Sequence, residues 1–480
     1  DSKLEILADK GNGNQENRFL LAELLLECGN FEAAATLYHQ LSESYPANEA
    51  AQFGLAETWL RQGDFEKADR QFQIVIKDNP ALFQAHNNRG QALLNLGDNQ
   101  AALKCFEEAL RLSPESPDVL NNLGATLGYF KQYKKSLAYT QKAIHLRPNF
   151  ADAKCNASYS LLATGQFKQG WKLFEHRFDN TRQMIHSHYL QRDIPQWTGE
   201  SLAGKSLFVW AEQGVGDQVM FSSCIPDLAK LGITRLVVSC NARLIPLFKR
   251  SFAIDDVIAE DSTGSYAQLT EQFDFQCPIG SLPTVLRHDV ESYPAHAFLT
   301  ADAKAQQQWQ TRYEALPSRL NIGIAWQGGT TEKLKKRRSL PLEQWAAILA
   351  LPVNFINLQY GDVDNQIESI HQKNDCVIYD WPDSDPLHNL DDYCAKIAAL
   401  DMVVSIDNST VHFAGALGVP TLAMLSMASD WRWQDTEISS YWYRDSLQII
   451  RQSEDSQWAD VVGQATAVIQ TYVDAKIVHG

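Results

Sequence analysis

The sequence predicts an all-α helical-repeat solenoid followed by an α/β region made of two open parallel-sheet domains. Three observations carry this reading. A 34-residue period runs through the first third of the chain. After residue 205 apolar runs alternate with helical segments. A polar, Ala/Gln-rich stretch without strand character, at 287–319, divides those runs into two sets.

The period is visible in several registers at once. Pro46, Pro80, Pro114 and Pro148 are evenly spaced, as are Gly29, Gly63, Gly97 and Gly165, with Lys131 in the remaining glycine slot. Two residues on stand Phe31, Phe65, Asn99, Tyr133 and Phe167; three further on stand Ala34, Ala68, Ala102, Ser136 and Gly170. This pattern reads as five helix–turn–helix units. Glycine serves the tight turn, a small residue sits where the helices touch, and proline falls where the second helix stops. A 34-residue helical hairpin is the tetratricopeptide period, which assigns 1–178 to about five repeats. Residues 4–8 read as the tail of a further unit.

Such solenoids offer a concave face to peptides or proteins. Two uses stay open at this point: a scaffold or homodimer contact, and a groove that selects a protein substrate. Asn87, Asn88, Asn121, Asn122 and Asn156 recur in successive first helices. They could clamp a peptide backbone, since an amide both donates and accepts, or serve as solvated or capping residues. The period ends before a junction at 179–205 that contains Pro195, Trp197 and Gly199. His186 and His188 lie in it without a third ligand at suitable spacing, so surface histidines are expected rather than a metal site.

Composition narrows the function. A chain of 480 residues, 45% apolar, suggests two to four domains, and a net charge of −16 argues against nucleic-acid or membrane-surface partners. No run approaches the roughly 20 apolar residues of a membrane helix. Eight scattered cysteines without a CxxC pair fit reduced thiols and a cytoplasmic location. The chain begins at Asp1, which leaves a trimmed leader open.

The first α/β set, 206–300, contains the runs SLFVWAEQ, RLVVSC and DFQCPIG; the second, 318–455, contains NIGIAWQGG, NFINLQYG, CVIYDWP, DMVVSID and TLAMLS. Continuous apolar runs followed by helices indicate parallel strands covered on both faces. Ligands of such sheets bind beyond the carboxyl ends of the strands, so a cleft is expected between the two domains. The terminal piece, 456–480, reads as an amphipathic helix packing across their junction.

Three strand ends are site candidates. In EQGVGD, Gly214 and Gly216 open a helix whose start favours negative charge, and Asp217 either caps that helix or faces the cleft as a base. Val219 replaces the third glycine of a dinucleotide fingerprint, which disfavours a dinucleotide. In AWQGGTTEKLKKRRSLP, Gln327 and two glycines precede Lys333, Lys335, Lys336, Arg337 and Arg338, a run suited to phosphate, or else a solvated charged loop or a nuclear-import-like run. In SIDNSTVHFAGALGVP, Asp407, Asn408, Ser409, Thr410 and His412 occupy a strand-to-helix turn. They could form either a phosphate cradle or an ordinary N-cap with a core histidine.

Taken together, LAGKSLFVWAEQGVGDQVMF, GIAWQGG…RRSLPLEQW, NLQYG and SIDNSTVHFAGALGVPTLAML…SDWRW resemble bacterial proteins that join tetratricopeptide repeats to a glycosyltransferase domain of the two-Rossmann, GT-B type. Those domains are related to heptosyltransferases and, more distantly, to O-GlcNAc transferases. The resemblance covers essentially the whole chain. It implies Asp217 as the base, Asp407 to His412 at the donor phosphates, Arg338 as a phosphate contact and Gln359 near the nucleoside. Asn408 stands where the family usually has threonine or glycine. Trp431 and Arg432 would line the sugar pocket without a chemical role.

The implied activity is inverting, metal-independent transfer of a sugar from a nucleotide donor to Ser or Thr of an acceptor protein held by the repeats. Some members of the group modify flagellin, which makes flagellin the expected acceptor and a CMP-linked nonulosonic acid the expected donor, with UDP- and ADP-sugars as the other candidates. No resident cofactor is implied. The alternatives are a repeat scaffold with a degenerate transferase domain, or a transferase or epimerase acting on a lipid-linked or free sugar.

Overall fold

The computed structural model describes residues 15–179, 194–261, 266, 273–329, 334–335, 338–374, 376–381, 383–384, 386–427, 429–435, 439–453 and 457–479. Residues 4–8, His186, His188, Lys333, Lys336 and Arg337 therefore lie outside the described residues. The chain divides into two compact units, Asp1–Ala157 and Ser158–Gly480.

The first unit is all helical. Its helices are α1 (Gln15–Glu27), α2 (Phe31–Ser44), α3 (Glu49–Gln62), α4 (Phe65–Asp78), α5 (Phe83–Leu96), α6 (Asn99–Leu112), α7 (Pro117–Tyr129) and α8 (Tyr133–Leu146); α9 (Ala151–Ala163) runs across the division. Each repeat turn takes a left-handed residue, with Gly29, Gly63 and Gly97 at φ 78°, 90° and 89°. Lys131, in the slot without glycine, adopts φ 56°. The next residue caps the second helix: Asn30, Asp64 and Asp98 accept the backbone N–H groups of Ala33, Lys67 and Ala101. Ala34, Ala68 and Ala102 are fully buried where the paired helices meet.

The asparagine line is neither purely solvated nor capping. Asn122 Nδ2 donates to Asn87 Oδ1 and Asn156 Nδ2 to Asn121 Oδ1, both at 2.9 Å, so amides one repeat apart bond to one another.

The second unit opens with the end of α9 and with α10 (Phe167–Phe174), the fifth helical pair, turning at Gly165. Two parallel sheets follow. The first has the order β3-β2-β1-β4, from β1 (Ser206–Trp210), β2 (Arg235–Cys240), β3 (Asp256–Ala259) and β4 (Phe275–Pro278). The second has the order β10-β9-β8-β5-β6-β7, from β5 (Asn321–Ala325), β6 (Asn354–Asn357), β7 (Ile378–Tyr379), β8 (Met402–Ile406), β9 (Thr421–Leu425) and β10 (Leu447–Arg451). The sequence marks eight of these strands and misses β3 and β10. Both are edge strands with exposed polar positions, Asp256 and Gln448, which break the continuous apolar run used as the signal.

In the second sheet, connections leave β5 toward β6 and β7 on one side and toward β8, β9 and β10 on the other. The β5/β8 boundary is thus the switch point of a doubly wound sheet, where a crevice opens beyond the strand ends. The segment at 303–314, in the region read as strand-free, is the helix α11 (Ala303–Glu314). The C-terminal helix α12 (Trp458–His479) does not bridge the two halves as expected. Val461, Ala465, Ile469 and Val473 instead join the core of the second sheet with Ile322, Val404 and Leu422. Burying the two valines and the isoleucine contributes about 1.5–3 kcal/mol each, and Ala465 lets the helix lie close to the sheet. Among the described residues, no helix is long and apolar enough to cross a membrane.

Candidate functional site

The carboxyl ends of β1, β5, β6 and β8 meet at a cleft of about 410 Å³. Its lining includes Gly216 and Asp217 after β1, Arg243 after β2, Gly329 and Arg338 after β5, Tyr360 after β6, and Asp407 to Ser409 with His412 after β8. Tyr393, Asp430 and Arg432 complete the polar wall.

Two helices point their N-termini into this space: Val215–Ser222, labelled α13, and Ser409–Ala416, labelled α14. Unpaired N–H groups there favour an anion. The starts of these helices are fixed differently. Asp217 Oδ2 accepts the Gly214 N–H at 3.3 Å, so one oxygen performs the capping role read from the sequence. Asn408 Oδ1 accepts the Thr410 N–H at 3.0 Å, while its Nδ2 donates to the Gln327 carbonyl at 3.1 Å and ties the ends of β5 and β8 together. Gly328 makes that join possible: a Cβ there would lie 2.5 Å from the Asp407 carbonyl oxygen.

A chain of alternating charge crosses the cleft wall. Arg338 Nε lies 3.2 Å from Asp407 Oδ2, and its Nη2 lies 3.4 Å from Asp430 Oδ2. Arg432 Nη1 donates to Asp430 Oδ1 at 2.7 Å, and its Nε donates to Asp217 Oδ1. The order is Asp407, Arg338, Asp430, Arg432, Asp217, running from the second sheet to the first. Burial pushes the Asp430 carboxyl upward, but Arg432 and Arg338 outweigh it and hold Asp430 below its ordinary range. Burial likewise disfavours the Arg432 cation, yet Asp217 and Asp430 together raise its pKa further above the usual value.

His412 is buried at the start of α14, stacked on Trp433 with ring centroids 4.8 Å apart and 2.9 Å from the Tyr443 hydroxyl through Nδ1. Burial lowers its pKa to about 4, against the opposing pull of Asp217 and Asp407. The ring is therefore neutral near pH 7. It acts there as a hydrogen-bonding group rather than a fixed cation.

Not every residue singled out from the sequence reaches the cleft. Gly214, Gln327, Gln359 and Thr410 are behind its lining among the described residues. The Thr410 hydroxyl is 2.9 Å from Tyr393, turned into the core, and Gln359 Oε1 accepts the N–H groups of Trp326 and Gln327 at 3.0 and 2.8 Å. These side chains shape the strand ends. Of the basic run, Lys335 is exposed and Arg338 lines the cleft.

Two supports were not read as such from the sequence. Arg177, just after α10, donates to Glu212 through Nε at 2.9 Å and Nη2 at 2.6 Å, and to Ser281 at 2.8 Å, all buried; Glu212 also accepts the Gly280 N–H. This fixes the loop that carries Asp217. Trp431, expected beside Arg432 in the pocket, is outside the cleft lining; it stacks on Tyr159 at 6.1 Å and meets Trp171 and Phe174 edge-on or tilted at 5.5 Å each. The only trace in the sequence is the alternation of tryptophan with charge in SDWRW.

Comparison with known proteins agrees with the helical part. Residues 19–69, 60–117 and 87–149 match the model described as tetratricopeptide repeat. Among curated proteins, the chain is 30% identical over 327 residues to Protein FlbA of Caulobacter vibrioides, covering 65% of this chain. The chain spans about half, 54%, of that relative's length. Among solved structures, a thermophilic TPR protein in Thermus thermophilus is 18% identical, with TM-score 0.32, over 35% of this chain and 92% of the other. Pseudomonas aeruginosa pilF is 21% identical, with TM-score 0.32, over 36% and 80%. The chain thus carries tetratricopeptide repeats followed by a region of parallel sheets and helices.

Proposed function

We propose that this chain is a protein O-glycosyltransferase of the GT-B type, which moves a sugar from a nucleotide donor to Ser or Thr of an acceptor protein engaged by the repeats. The observation that carries the reading is the cleft. It joins a carboxylate from one parallel sheet, Asp217 in the first turn of α13, to the N-terminus of α14 and Arg338 beyond the carboxyl ends of the other.

In this reading the donor phosphate lies at the start of α14, beside Arg338. Asp217 takes the proton of the acceptor hydroxyl as its oxygen attacks the anomeric carbon. The bond from that carbon to the phosphate oxygen breaks, and the nucleotide leaves with the electron pair. Its growing charge is stabilised by Arg338 and the unpaired N–H groups of α14. Neutral His412 lends shape and a hydrogen bond at the same turn. Flagellin is the proposed acceptor and a CMP-linked nonulosonic acid the proposed donor, both on the sequence resemblance.

Intact-mass analysis of flagellin from a strain lacking this protein tests the acceptor: a loss of sugar mass is expected, and an unchanged mass removes flagellin. D217A is expected to abolish transfer while acceptor capture by the repeats persists. Normal transfer by D217A would remove Asp217 as the base.

A further inference from the structure

We infer that Arg432 is a latch on Asp217 that the donor's phosphate displaces, so that the base is freed only when the donor site is filled. The inference rests on the transferase reading of this cleft and adds a regulatory step to it.

Three features support the latch. First, both oxygens of Asp217 are already engaged, Oδ1 by Arg432 and Oδ2 by the Gly214 N–H. A lone pair already aimed at a guanidinium N–H is not directed at an incoming hydroxyl, so the resting geometry leaves Asp217 poorly placed to take a proton. Second, Arg432 spans the two halves. Its Nη2 donates to Gln213 Oε1 at 2.9 Å on the first, and its Nη1 reaches Asp430 on the second. Third, both of its glutamine partners are in strained backbone. Gln213 has φ 62° and Gln434 has φ 45°, a region non-glycine residues rarely occupy, and Gln434 Nε2 donates to the Arg432 carbonyl at 2.7 Å.

The charge chain supplies the driving force. Three carboxylates hold two guanidiniums, so a phosphate that draws on either arginine of this chain takes it from an acid. Because Asp430 touches both arginines, drawing Arg338 and Arg432 toward phosphate frees Asp407 at one end and Asp217 at the other. The acceptor's proton is then taken only in the presence of donor.

Calorimetric titration of the full chain with CMP, UDP and ADP in turn tests the latch through a double-mutant cycle. If Asp217 competes with phosphate for Arg432, D217N binds the recognised nucleotide about tenfold tighter than wild type, and the gain disappears in R432M/D217N compared with R432M. The cycle is repeated with R432K, which keeps the charge but loses the forked geometry, so that a poorly folded methionine variant does not decide the outcome. Equal tightening by D217N in both backgrounds would mean plain charge repulsion, and no tightening would mean no competition; either overturns the latch while leaving the donor site intact. Failure of the wild-type protein to bind any of the three nucleotides overturns the donor reading, and the latch with it.

Discussion

Gly216 and His412 touch across the cleft: a Cβ on Gly216 would lie 3.0 Å from His412 Cδ2. The start of α13 therefore packs directly on the His412 ring and the Ser409 Cα of α14. An alanine at 216 would gain up to about 1 kcal/mol of helix propensity but must push a ring already held by Trp433 and Tyr443. Overpacking of this kind costs about 1–3 kcal/mol, so the clash wins. G216A is expected to lose about 1 kcal/mol in urea unfolding and about tenfold in donor affinity, with G216V worse on both.

The buried Arg177–Glu212 pair makes a sharper stability test. E212Q leaves the Arg177 cation buried with its strongest partner neutralised and should cost about 3–5 kcal/mol. R177M/E212L removes both charges, and it is expected to recover roughly half of that loss. Full recovery is excluded by the Gly280 N–H, which loses its acceptor. Denaturant melts of the two variants decide it; equal losses would mean the pair carries no special desolvation penalty.

His412 should give the protein an acid-sensitive step. Its folded pKa, about 4, is below the unfolded value near 6.5, so the unfolded chain binds the extra proton first. Its contribution is fully present above pH 6.5 and is lost as pH falls toward 4, about 3 kcal/mol over that window. H412Q lacks this titration. The stability difference between wild type and H412Q should narrow in favour of H412Q as pH drops, and a difference independent of pH would show that the histidine is not held neutral.

Lys131 occupies a left-handed turn that the other repeats give to glycine. Its side chain costs about 1 kcal/mol in that conformation, more than the extra chain entropy a glycine would lose. K131G should therefore raise the melting temperature by a few degrees, read by circular dichroism. A fall would mean that the lysine's own contacts outweigh the backbone strain.

The repeats were legible because their determinants recur every 34 residues: the glycine turn, the small residue at the helix contact and the proline after the second helix each leave a periodic mark. The strand ends were legible because continuous apolar runs stop abruptly at polar residues. The charge chain was not. Asp217 and Arg432 are 215 positions apart and Asp407 and Arg338 are 69 apart, and pairing at such separations leaves no local pattern. Thr410 and Gln359 show the opposite limit. Their polarity drew them into the candidate set, but hydrogen-bonding to a tyrosine or to loop amides is an equally good use of that polarity, and only coordinates separate the two.

The aromatic seat of Trp431 bears on where this protein could be cut. Tyr159, Trp171 and Phe174 come from the fifth helical pair, and Asp435 N–H donates to the Ala163 carbonyl at 2.7 Å in the same place. A fragment begun at the first strand would expose a large indole and leave the loop bearing Arg432 without its backing. The end of α9 and all of α10, repetitive in sequence, belong by their contacts to the domain that follows. Shortening the helical array from its far end should spare this seat, whereas removing that last hairpin should dismantle it.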